Sequence, residues 1–191
     1  MEKVEINKNM KLSEHFTLGE MCKTKHVTAD GNIPSRVVIE NLIRVCGWLE
    51  ELRVLAGVRP QSKVCAGVRP QSKVAGDCTL APDPRAALDP GAAPSARKEV
   101  PIVINSGYRS PEVNRLAGGA TNSNHLTGCA VDIRCAGKEQ MIRYASILLD
   151  IADGSKQEYD ELLLEQHGSV CWLHFAVRPK ENRRIIRFLR V

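Results

Sequence analysis

The spacing of apolar residues predicts one long helix in the first third of the chain. From Ile33 to Leu55 large apolar residues recur at steps of three and four, which places them on a single helical face. Pro34 suits the first helical position, where its missing amide hydrogen costs nothing. The residues of the apolar stripe are Val38, Leu42, Val45, Leu49 and Leu52. This stripe predicts a helix that packs against a core.

The second half of the chain alternates strand-like and helix-like patterns. Short runs rich in β-branched residues at 101–105 and 129–134 predict buried strands, and residues 138–151 predict an amphipathic helix. Two further apolar runs, 159–166 and 170–177, flank a Gly-containing turn and predict a β-hairpin. This mixed order predicts an α+β fold: one small, mostly antiparallel sheet flanked by helices, within a single domain spanning residues 1–191.

Residues 56–98 differ from the rest in composition. The string AGVRPQSKV occurs at 56–64 and again at 66–74, and a run rich in Ala, Pro, Asp and Gly follows. Few large apolar side chains are present to offset the entropy of ordering, so we predict a disordered or low-complexity insertion within the domain. Removing it leaves 20 basic and 19 acidic residues, so the net charge of +5 does not indicate a nucleic-acid partner.

Composition limits the class of protein further. The chain is 43% hydrophobic and 26% charged, which is typical of a globular protein, and no apolar run approaches the roughly 18 residues of a transmembrane helix. The N-terminal residues lack the apolar stretch of a signal peptide, so we expect a cytoplasmic protein with no transmembrane segment. Seven cysteines without a CxxC pair predict reduced thiols, not a disulfide framework or a thiolate zinc cluster.

Three residues suggest a metal site. His125 and Asp132 lie on either side of Gly128, which can turn the chain, and His174 lies within the apolar run CWLHF. Imidazole and carboxylate ligands suit zinc, and three protein ligands leave one position for a water whose pKa falls to about 7. The spacing alone is weak evidence, because a histidine in a strand is more often a hydrogen-bonded core residue.

The sequence around these residues resembles a known family. The string SNHLTGCAVD at 123–132 matches the signature SxHxxGxAxD of the zinc D-Ala-D-Ala carboxypeptidases and VanX/VanY-like peptidases, whose fold is shared with the hedgehog signalling domain. The preceding NSGYRSPEVNRLAGG resembles the segment that leads into that signature. Residues 12–24, 33–53 and the hairpin around His174 resemble a phage- and bacteroidete-type branch of the family.

The resemblance implies roles for five residues. It implies that His125, Asp132 and His174 bind Zn²⁺, and that Arg109 grips a substrate carboxylate in bidentate fashion. Arg109 could instead tie its turn to a neighbouring acid. Ser123 is expected to orient its loop or to donate a hydrogen bond to substrate, although capping a turn explains it equally well.

The general base is where the sequence departs from better-known relatives. Many of them carry an acid three residues before the last histidine, whereas this chain has Cys171 there. With the hairpin turn centred on Gly168, Glu161 is predicted opposite His174, and Glu165 four residues along on the same face. The resemblance favours Glu165 as the base, with Glu161 as the second candidate. Either glutamate could be a solvated residue of the strand face.

Taken together, the resemblance implies a zinc metallopeptidase that hydrolyses the stem peptides of peptidoglycan or its precursors. The reaction would be that of a D,D-carboxypeptidase or an endopeptidase, and the protein is expected to be a monomer. An endolysin-like enzyme that a phage encodes and releases to the cell wall is one origin that the resemblance allows. A catalytically inactive, zinc-bound module that binds the cell wall is the alternative, because Cys171 replaces the usual acid.

Overall fold

The computed structural model describes residues 7–58 and 100–191. Four α-helices and one 3₁₀ turn lie in these two ranges. They are α1 (Leu18–Met21), α2 (Arg36–Val58), α3 (Pro111–Leu116), the 3₁₀ turn (Asn124–Thr127) and α4 (Lys138–Ser155). No helix among these residues is long and apolar enough to cross a membrane.

Five strands form one sheet. They are β1 (Ile104–Ser106), β2 (Ala130–Cys135), β3 (Glu161–His167), β4 (Val170–Ala176) and β5 (Ile185–Arg190). Their spatial order is β1-β2-β4-β3-β5, and every neighbouring pair is antiparallel except β3 and β5. The predicted α+β fold with a mostly antiparallel sheet is therefore confirmed.

One face of the sheet is the core. Val131, Ile133, Leu162, Leu173 and Phe175 alternate along β2, β3 and β4 and are fully buried. Helices α2 and α4 cover this face, as the ring contact between Trp48 and Phe175 shows, with centroids 5.3 Å apart. The strand residues that alternate with these buried ones project from the opposite face. The same three strands therefore provide both the core and a polar surface.

Helix α2 differs from its prediction at both ends. It begins at Arg36 instead of Ile33, because the Ser35 hydroxyl accepts a hydrogen bond from the Val38 amide and caps the helix. It continues to Val58, three residues into the predicted insertion. The rest of that insertion, residues 59–98, lies outside the described residues.

The hairpin of β3 and β4 exists, but its predicted register is wrong. Gly168 and Ser169 form a two-residue turn, so the pairing is centred between them instead of on Gly168. Leu163, not Glu161, therefore lies opposite His174. The shift leaves Glu161 and Glu165 on the same face as His174, one on each side of it along the strand, because side chains alternate with a period of two.

Candidate metal centre

His125, Asp132 and His174 come together on the polar face of the sheet. Asp132 and His174 are direct partners in the pairing of β2 with β4, and His125 reaches them from the 3₁₀ turn that precedes β2. Asp132 Oδ1 lies 3.2 Å from His125 Nε2 and 2.9 Å from His174 Nδ1. All three residues are buried, with ligand atoms within 4.8 Å of one another.

Local turn chemistry places His125. The Ser123 hydroxyl accepts a hydrogen bond from the His125 amide at the start of the 3₁₀ turn, so Ser123 caps that turn. The turn ends at Gly128, which has φ +71° and would place a Cβ only 2.7 Å from the Val38 carbonyl oxygen. Glycine is therefore required where the chain turns into β2, and this turn brings His125 to Asp132.

The donor set fits a zinc ion. Ligands about 2 Å from a tetrahedral ion lie roughly 3.3 Å apart, close to the two distances measured from Asp132 Oδ1. His125 Nδ1 lies 2.6 Å from the Gly107 carbonyl oxygen, so the proton belongs on Nδ1 and Nε2 keeps its lone pair for a metal. His174 has Nδ1 towards Asp132 and Nε2 3.5 Å from Glu161 Oε2, again leaving one nitrogen for the ligand position.

The electrostatics of the three residues depend on their mutual contacts. Burial alone would raise the pKa of Asp132, but the two imidazoles beside it lower that pKa well below its ordinary value. Burial opposes charge on His174, yet hydrogen bonds to Asp132 and Glu161 raise its pKa to about 9. Burial lowers the pKa of His125. Asp132 is therefore a carboxylate across the whole working pH range, as a ligand must be.

Arg109 contacts Asp132. Its NH2 group donates to Asp132 Oδ2 at 2.5 Å, and its Nε donates to the Ser106 hydroxyl at 2.8 Å. Its backbone amide donates to the His125 carbonyl oxygen. Of the two roles expected for Arg109, this geometry matches the arginine that ties its turn to a neighbouring acid. The same side chain also lines the cleft.

The two glutamates of β3 have different surroundings. Glu161 accepts hydrogen bonds from Asn124 Nδ2 at 2.9 Å and from Arg183 at 2.7 Å, and its pKa is lowered, first by His174. Glu165 is half-buried beside Trp172, its partner on β4, and burial raises its pKa. Of these two glutamates, Glu165 alone has a raised pKa.

A buried acid supports the Glu161 end of the site. Asp160 is fully buried and accepts two hydrogen bonds from the Arg183 side chain, at 2.8 and 2.6 Å. Asn124 Nδ2 also donates to Asp160, at 2.8 Å. Asn124 and Arg183 each bridge Asp160 and Glu161, so the network joins the 3₁₀ turn to the loop before β5. This network was not predicted from the sequence, where its signal is the pair of adjacent acids in YDELLLEQ.

Cys171 lies on the other face of the sheet. It is buried in the hydrophobic core and pairs directly with Cys135 of β2. Its side chain therefore projects away from His174, which is three residues along the strand and faces the cleft. An acid at this position would not reach His125, Asp132 or His174 in this structure.

His125, Asp132 and His174 open into a cleft of about 750 Å³. Leu163, Glu165 and Trp172 line it from the sheet, and the loop 117–124 and Arg178 line it from the side. This volume accommodates several residues of an extended peptide or a small ligand.

Comparison with known proteins identifies one family. Residues 78–157, less than half of the chain, match the family described as Peptidase M15. The matched range contains Arg109, His125 and Asp132, and it ends before β3, so it includes neither His174 nor the two glutamates. No curated protein matches the chain. The family match supports a peptidase of the M15 type.

Proposed function

We propose that this chain is a zinc-dependent peptidase that hydrolyses the stem peptides of peptidoglycan or of its precursors. The observation that carries the proposal is the meeting of His125, Asp132 and His174 at the base of an open cleft, with an acid of raised pKa beside them. The match to Peptidase M15 supports the reaction class.

The three ligands would hold the metal. When bound, zinc supplies Lewis acidity, which polarises a carbonyl group and acidifies water. The protein's contribution is to fix the ligands: Gly107 orients His125, Arg109 orients Asp132, and Glu161 orients His174. Each ligand thus has one partner that holds it in place.

Glu165 is the proposed general base. It lines the cleft on the same face as His174, and its raised pKa makes it a better proton acceptor than an ordinary glutamate. Glu161 is a weaker candidate, because its contact with His174 and hydrogen bonds from Asn124 and Arg183 lower its pKa, which makes it a poorer proton acceptor. In this mechanism Glu165 accepts a proton from the attacking water and returns it to the departing amine.

Arg109 and Ser123 border the proposed substrate path. Arg109 directs one NH2 donor to Asp132 and also faces the cleft, so it is proposed to contact a substrate carboxylate with its remaining donors. The Ser123 hydroxyl accepts from a backbone amide, which leaves its own proton free to donate to bound peptide. Both residues would position the substrate while also holding the ligands.

The likeness to D-Ala-D-Ala carboxypeptidases and VanX/VanY-like enzymes points to D,D-peptide bonds. If the protein recognises a free terminal carboxylate, it is a carboxypeptidase. If it recognises a carboxylate within the peptide, it is an endopeptidase. Mass spectrometry of the muropeptides released from purified peptidoglycan distinguishes the two, because the products differ in mass.

The same experiment tests the proposed function. We expect zinc-loaded protein to release new muropeptides, and both a chelator and Glu165→Gln to abolish their release. A protein that binds peptidoglycan without releasing any product would instead be a wall-binding module. That alternative rests on Cys171, which stands where many relatives have an acid. The Cys171 side chain faces the core, so its presence does not remove an acid from the cleft.

A further inference from the structure

A second hollow adjoins the cleft. It has a volume of about 340 Å³ and is formed between the segment 23–26 and helix α3. Arg109 and Ala117 line both the hollow and the cleft, so the two are neighbours. A peptide bound in the cleft therefore has a place for one further group beside Arg109.

The segment that forms this hollow is attached to the candidate active site. The Met21 carbonyl oxygen accepts a hydrogen bond from the Tyr108 amide at 2.7 Å. Asn32 Nδ2 donates to the carbonyl oxygens of Cys22, at 2.9 Å, and of Tyr108, at 3.3 Å. Because Tyr108 precedes Arg109, these bonds hold segment 23–26 against the turn that carries Arg109.

The hollow carries positive charge that no described residue neutralises. Each arginine of the main cleft has a carboxylate within 4.0 Å: Arg109 has Asp132, and Arg178 and Arg183 have Asp160. Lys23 and Lys25 line the hollow and have no ion pair among residues 7–58 and 100–191. His26 and Arg109 also line it, and no acidic residue does. These charges favour an anionic ligand.

We propose that this hollow binds a carboxylate of the substrate peptide, away from the bond that is cut, through Lys23 and Lys25. The inference rests on the proposed function, since stem peptides carry acidic groups along their length. Arg109 already directs donors to Asp132 and Ser106, so only its remaining donors are available to a substrate carboxylate. Lys23 and Lys25, which line the same hollow as Arg109, would supply a further site for a carboxylate without disturbing Asp132.

The test compares two synthetic stem peptides that differ only in one internal carboxylate, free in one and amidated in the other. We expect zinc-loaded wild-type protein to favour the free acid by about three- to tenfold in kcat/KM, the size expected for two exposed ion pairs. Lys23→Ala with Lys25→Ala is expected to remove this preference through KM, with kcat for the amidated peptide unchanged.

A matched control changes the net charge by the same amount elsewhere. Lys11 and Lys138 are exposed and line neither the hollow nor the cleft, so Lys11→Ala with Lys138→Ala should keep the preference. An unchanged preference in the Lys23 and Lys25 variant, or an equal loss in the control, would overturn the inference.

Binding separates this inference from the proposed function. Calorimetry with zinc-loaded Glu165→Gln protein measures the affinity of each peptide while neither is cleaved. Equal affinity for the two peptides would overturn the inference even if the wild type cleaves them. If the variant binds the free acid more tightly but the wild type cleaves neither peptide, the result would support carboxylate binding in the hollow and contradict the proposed peptidase activity.

Discussion

The two ends of β3 place the same residue type in opposite environments. At one end Glu161 lies in a polar network with Asn124 and Arg183, which keeps its carboxylate ionised and in one position. At the other end Glu165 is half-buried beside Trp172, and burial raises its pKa. Both face the cleft from a single strand. The difference teaches that burial and neighbouring groups set the pKa of a carboxylate, even where two carboxylates share one face of one strand.

The largest effect is expected at Glu165. Glu165→Gln keeps the size of the side chain but removes the proton acceptor, so kcat should fall by about 10²- to 10⁴-fold. Zinc content should stay the same, because Glu165 is not a ligand. The measurement is the rate of muropeptide release together with metal analysis of the purified variant. A fall in activity no larger than that of Glu161→Gln would show that the two ends of β3 do not differ as proposed.

A carboxylate introduced at position 171 tests the opposite face of the sheet. Cys171→Asp would bury an unpaired charge in the core, and we expect the free energy of unfolding to fall by about 3–5 kcal/mol. It should not restore activity to Glu165→Gln. Cys171→Ala is the control for the lost thiol. Denaturant unfolding gives the stability, and any recovery of activity would mean that position 171 reaches the cleft.

The next effect concerns Glu161 and metal affinity. Glu161→Ala removes the acceptor for His174 Nε2 and should weaken zinc binding by about 10- to 100-fold. Glu161→Gln should bind zinc nearly as well as the wild type, because its amide oxygen can accept the same hydrogen bond. Competition with a zinc-binding dye measures both variants. Equal losses in the two would mean that the charge of Glu161, not its hydrogen bond, matters.

The smallest effect is expected in the pH dependence. A base works only when ionised, so the raised pKa of Glu165 should place the acid limb of kcat/KM above that of an ordinary glutamate. Trp172 donates a hydrogen bond that lowers this pKa, so Trp172→Phe should move the limb to still higher pH. At pH values above the limb the two proteins should differ little. A limb that moves to lower pH would contradict this assignment of the base.

Much of the fold could be predicted because its signals are local. The alternation of Leu162 and Leu164, and of Leu173 and Phe175, indicates the strands and their buried face. The gathering of His125 and Asp132 follows from a short motif with a required glycine. The predicted register of β3 with β4 was two residues off, with Glu161 instead of Leu163 opposite His174, because the register depends on the local geometry of the hairpin turn.

Contacts between distant segments could not be predicted. A neighbouring acid was one expected partner of Arg109, but the sequence did not identify it as Asp132, which lies 23 positions away; Arg183 and Glu161, which also pair, lie 22 positions apart. The hollow at Lys23 exists because α1 and β1 lie side by side, which no periodicity of the chain indicates. Such contacts follow from tertiary packing, and the metal-binding and catalytic roles drawn from the motif stay predictions.

Gly107 shows how an inconspicuous residue can limit variation. A Cβ at this position would lie 2.4 Å from the Met21 carbonyl oxygen, while its own carbonyl oxygen meets the ring of His125. Any larger residue would push the amino-terminal segment and the turn apart. A saturation library at position 107, selected for zinc retention, should therefore return glycine alone, although Gly107 offers no side chain to either the ion or the peptide.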